Sequence, residues 1–151
     1  MPNIKEQAVA AIAERFARDE ERWRQENPGK VRFYLHHAPD EPPTFSTEGQ
    51  QALWPVMSAL RNNNIDAVTP VMTLDSVEAH GGYTGEIAVL IQAVGPVLTG
   101  ILGAWLQSKA GRKVRLKVED IEVEARTVEE VAQLLQHVRA LRANREETLE
   151  D

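Results

Sequence analysis

Gly81 to Val114 reads GGYTGEIAVLIQAVGPVLTGILGAWLQSKAGRKV, and its part from Ile87 to Leu106 contains no charged residue and one strongly polar side chain, Gln92. That length would cross a bilayer, which needs about 20 apolar residues. The basic cluster Lys109, Arg112, Lys113 and Arg115 would hold its C-terminal flank in the cytoplasm. The same run would also serve as the buried helix of an α+β domain, because flanking sheets need an apolar layer over their inner faces. Gly95-Pro96 divides it, and the proline favours two helices, Thr84 to Val94 and Pro96 to Ser108. The buried helix is the preferred reading, since Lys113, Arg115 and Lys117 have a duty in the segment that follows.

That segment is a hairpin, Lys113 to Val118 and Ile121 to Arg126. A connection through Glu119-Asp120 opposes Val118 with Ile121, Lys117 with Glu122, Leu116 with Val123, Arg115 with Glu124 and Val114 with Ala125. Apolar meets apolar and basic meets acidic, whereas a slip of one residue loses both patterns. Thr127-Val128-Glu129-Glu130 has the form of a capping box. Val128, Val131, Leu134, Leu135, Val138 and Leu141 then make the apolar stripe of a helix to about Ala143 that covers the hairpin.

Upstream, Val31 to His37 alternates as a strand, and the Pro-rich Ala38 to Thr47 is a loop. Ser46 or Thr47 caps a helix to about Leu60, with Leu53, Val56, Met57 and Leu60 at helical spacing. Ile65 to Leu74 reads as a second strand in which Pro70 implies an edge or a bulge. Gly81 to Gly85 reads as a helix start capped by Thr84 and not as an anion-binding loop, since the P-loop Gly-Lys-Ser/Thr and the dinucleotide spacing are absent. The expected fold is α+β: a small mixed sheet of about four strands covered by helices, with an N-terminal helical arm over 1–28, a core over 30–143 and a charged tail over 144–151.

The arm is an amphipathic helix from Asn3 to about Gln25. Asn3 and Glu6 form its cap, Ile4, Ala8, Ile12 and Phe16 lie on one side with Trp23 extending them, and Asn27-Pro28-Gly29 stops it. Such a stripe has to dock, on its own domain or on another subunit. Gly95, Thr99 and Gly103, spaced by four, form a small-residue face that lets a second backbone come close. The interface candidates are therefore Ile12, Phe16, Trp23, Gly95, Thr99 and Gly103.

Among 151 residues there is no cysteine, which removes disulfides, thiol catalysis and cysteine-bound zinc and agrees with a reducing compartment. The net charge of -6 argues against broad attraction to nucleic acid. The start lacks the basic and apolar regions of a signal peptide, so a cytoplasmic location is expected. His36 and His37, adjacent on a strand, point to opposite faces and make poor joint ligands, and His80 and His137 read as ordinary loop and helix histidines. No catalytic residue, cofactor or metal is expected.

Gly103-Ala104-Trp105-Leu106-Gln107-Ser108, Arg112-Lys113-Val114-Arg115-Leu116-Lys117-Val118 and Thr127-Val128-Glu129-Glu130-Val131-Ala132-Gln133-Leu134-Leu135, in their order of elements, resemble the effector-associated constant component family of predicted bacterial conflict systems. The resemblance spans Val31 to Val138 and leaves the arm unmatched. It implies a small non-enzymatic bacterial component that couples sensing to a protein effector in a defence complex; the arm and the small-residue face add the chain itself as a partner, in a homo-oligomer. The competing reading is a membrane-associated effector that inserts residues 87–106.

Overall fold

The computed structural model describes residues 3–72, 82–118 and 121–150. The Glu119-Asp120 connection, His80, Gly81 and Asp151 lie outside them, as do the side chains of Val118, Ile121 and 141–150. The chain divides into two units, Met1–Lys30 and Val31–Asp151.

The first unit is one helix, α1 (Ile4–Glu26), and its cap is the one the sequence announces. Glu6 N–H donates to Asn3 Oδ1 at 2.8 Å, and Asn3 N–H donates to Glu6 Oε2 at 3.3 Å. At the other end Asn27 donates from backbone and side chain to the Trp23 carbonyl, and Gly29 takes φ +73° to turn the chain away.

The second unit is α+β. Its elements are β1 (Lys30–His36), α2 (Thr47–Asn62), β2 (Ala67–Val68), β3 (Val71–Met72), β4 (Gly82–Tyr83), β5 (Glu86–Leu90), α3 (Pro96–Ser108), β6 (Lys113–Val118), β7 (Ile121–Ala125) and α4 (Val128–Glu150). A five-stranded antiparallel sheet runs in the order β2-β5-β1-β6-β7, beside a two-stranded sheet of β3 and β4. Val31, Phe33 and Leu35 of β1, Ile87 and Val89 of β5, and Val114 and Leu116 of β6 form one apolar face. Leu53, Met57 and Leu60 of α2, Leu98, Leu102 and Trp105 of α3, and Val131, Leu135 and Val138 of α4 complete the core.

The hairpin register agrees with the sequence pattern at all five positions, from Val114 opposite Ala125 to Val118 opposite Ile121. The ion pairs above it lean across the ladder, with Arg115 to Glu122 at 3.8 Å and Lys113 to Glu124 at 3.8 Å beside Lys117 to Glu122 at 3.9 Å. These pairs are half exposed, so each adds under about 1 kcal/mol, and apolar alternation carries the register. Glu130 N–H donates to Thr127 Oγ1 at 3.1 Å, while Glu130 Oε2 accepts from Arg126 N–H, one residue before the expected box partner. α4 continues to Glu150 instead of ending near Ala143.

Three expectations are corrected. The apolar stretch is not helical throughout: Glu86–Leu90 is the strand β5, Ile91–Ala93 a 3-10 turn, and only Pro96–Ser108 an α-helix. β5 lies between β2 and β1 with Ile87, Ala88 and Val89 all buried, so it shows no alternation that would mark a strand. Thr84 consequently caps no helix. Gly85 turns the chain into β5 at φ +91°, where its carbonyl accepts from Leu35 N–H at 2.9 Å; a Cβ there would stand 2.8 Å from Leu35 O. Finally, Ile65 to Leu74 is not one strand. Thr69-Pro70 separates β2, at the edge of the main sheet, from β3 in the small one, because Pro70 has no N–H to continue a ladder.

Candidate functional site

A connected polar group forms where β1 runs out. His37 follows β1, and the Pro-rich loop after it turns back through a reciprocal clasp: Glu41 N–H donates to Ala38 O at 3.0 Å and Ala38 N–H to Glu41 Oε1 at 2.9 Å. Gly111, at φ +94°, brings the α3–β6 connection against Ala38. Arg112 then reaches Glu41 with Nε on Oε1 at 2.8 Å and Nη2 on Oε2 at 3.0 Å. Its guanidinium lies 3.9 Å from the centre of the Trp105 ring, and Nη1 donates to Trp105 O at 3.2 Å. The latter bond satisfies a carbonyl of the last turn of α3, where a cation is favoured.

His37 meets the same indole edge-on, with ring centres 5.2 Å apart. Its Nε2 is 3.1 Å from Gly49 O; a carbonyl only accepts, so Nε2 carries the hydrogen. Nδ1 is 3.4 Å from Thr44 Oγ1. The Arg112 bonds hold the Glu41 carboxyl well below its ordinary range, at about 2, and the Ala38 amide adds to the effect against the opposing pull of burial. Glu41 therefore stays a carboxylate at neutral pH with no proton to give, and Arg112 is neutralised where it stands. Glu41 and Arg112 spend their polar atoms on each other, on Ala38 N–H and on Trp105 O, while His37 bonds to Gly49 and Thr44. The group latches the Pro-rich loop to the end of α3.

Beside this latch, α2 and α3 leave a cleft of about 210 Å³. It is lined by Ala52, Pro55, Val56 and Ala59 of α2, by Ile101, Ala104, Trp105 and Ser108 of α3, and by Arg112. Trp105 is 2% exposed and its Nε1 meets no acceptor among the described residues. On the sheet, His36 is separate from the latch: burial first, then Arg115 and Lys113, push its imidazole below the ordinary 6.5. No group of three or more metal-ligating side chains gathers among the described residues.

The interface residues singled out from sequence fall on α1 in the first unit and on α3 and its cap in the second. Ile12 and Phe16 are neighbours on α1, 55% and 66% exposed, alongside Ile4 and Val9, and α1 buries no side chain; Trp23 is half buried. Gly95 is the N-cap of α3 and its carbonyl accepts from Thr99 Oγ1 at 3.0 Å. Gly103 is buried under α4, where a Cβ would stand 3.2 Å from both methyls of Val128. His137 is exposed on α4. In sequence, His37 is weighed as a metal ligand and Arg112 as part of a basic flank, but neither is joined to Glu41 or Trp105, because no local pattern links the four. The available signals were a tryptophan inside a charge-free helix and two adjacent acids, Asp40 and Glu41, among prolines.

Comparison with known proteins finds no relative: no family model matches the chain, nor does any curated protein or any solved structure.

Proposed function

We propose that this chain is a non-enzymatic adaptor or scaffold of a bacterial defence or effector-signalling complex, cytoplasmic, and acting through protein contacts that include its own copies. The resemblance set out above supplies the biological setting. The exposed apolar side of α1 is the observation that carries the mode of action: Ile4, Val9, Ile12 and Phe16 remain open on a capped helix of 23 residues. Apolar side chains gathered on one helix face mark a contact surface. The partners are a second copy at Ile12, Phe16 and Trp23, and a protein sensor or effector.

The membrane-inserting alternative requires a continuous apolar helix. α3 has 13 residues, about 20 Å of helix against a hydrocarbon core of about 30 Å. No helix among the described residues is long and apolar enough to cross a membrane.

Changing Ile12 and Phe16 together to Ser tests the adaptor reading. Light scattering should show a lower assembly mass, with circular dichroism unchanged in the core. An unaltered mass removes the arm from self-association.

A further inference from the structure

A second surface lies on α2. This helix buries Leu53, Val56, Met57 and Leu60 and turns Glu48, Gln51, Trp54, Pro55 and Arg61 outward. Trp54 is 53% exposed at the middle of that face, and tryptophan, with tyrosine and arginine, is enriched among the residues that dominate the energy of protein contacts. Arg61 lies over its ring at 5.3 Å, and no other described aromatic pairs with it. The helix carries two charges, Glu48 in its first turn and Arg61 in its last, and their midpoint falls between Trp54 and Pro55. Gln51 and Ser58 straddle the same point. The outward face is thus complementary to its own reversed copy.

We propose that α2 packs antiparallel against α2 of a second copy about a two-fold axis beside Trp54-Pro55. In a closed two-fold contact the paired positions have a constant sum. Glu48 then faces Arg61 of the other copy at both ends, Gln51 faces Ser58, and each Trp54 lies on the other copy's Pro55. Pro55 lacks an N–H and offers a flat apolar ring, a surface on which an indole packs without leaving a donor unpaired. Antiparallel helices also set opposite dipole ends together. This contact uses none of the α1 residues and does not rest on the arm.

The test exploits the symmetry, in the full chain. Glu48→Arg alone and Arg61→Glu alone each place like charges at both ends and should weaken self-association about tenfold or more. Mixed one to one they restore opposite charges at both ends, so native mass spectrometry should show a mixed pair that neither variant forms with itself. Trp54→Ala should weaken association as well. All these proteins also carry Ile12→Ser and Phe16→Ser, which removes association through α1, so the failure of that contact and of this one read separately. A charge effect on the isolated helix would not be rescued by mixing. Unchanged mass in both single variants, or no mixed pair, overturns the proposal.

Discussion

Arg112 holds Glu41 through two parallel hydrogen bonds, at 2.8 and 3.0 Å, between positions 71 residues apart in the chain. Their side chains are 9% and 7% exposed, so the pair is shielded from water and differs in kind from the half-exposed ladder of β6 and β7. A fork-to-fork arginine and carboxylate pair is strong when both ends are met, and losing one end leaves a buried charge.

Glu41→Ala should therefore lower the unfolding free energy by about 1.5 to 3 kcal/mol in urea titration, with Arg112 left part-buried and without its carboxylate. The double change Glu41→Gln with Arg112→Met should cost less than Glu41→Ala, because it removes both charges and keeps much of the volume. A double change as costly as the single one would show that the loop, and not the ion pair, sets the loss.

The same pair fixes an acid limb in stability. Glu41 has its carboxyl lowered from 4.5 to about 2 in the fold, so the unfolded chain takes up the proton first as pH falls. Its contribution is complete above about pH 4.5 and is lost as pH falls through about 2. Stability measured at successive pH values should drop over that window, and Glu41→Gln should flatten the drop. Parallel curves for the two proteins would assign the acid limb to other carboxylates.

Two glycines of α3 should answer alanine in opposite ways. Gly100 faces open space, so Gly100→Ala should stabilise by about 0.5 to 1 kcal/mol through backbone entropy. Gly103 lies under Val128, where a methyl group would stand 3.2 Å from both Val128 methyls, and Gly103→Ala should give up that gain or destabilise. Pairing it with Val128→Ala should relieve the crowding. Thermal midpoints for the four proteins decide it, and equal gains at both glycines would show that α4 yields freely.

The sequence by itself determined whatever depends on neighbours along the chain. The caps at Asn3, Ser46 and Thr127 form because each side chain reaches an amide three residues on. The β6–β7 register follows from alternation on two faces at once, which no slipped pairing satisfies. The break at Gly95-Pro96 follows from a ring that cannot continue a helix before it and fits one after it. Tertiary structure alone decided that Glu86–Leu90 is a strand. An apolar run reads alike as a buried helix or a strand covered on both faces, and β5 is settled by its place between β2 and β1. It alone also assembled Glu41, Arg112, Trp105 and His37. Their attraction depends on exclusion of water from a site built by a loop, a helix end and a strand end, and no spacing along the chain encodes that meeting.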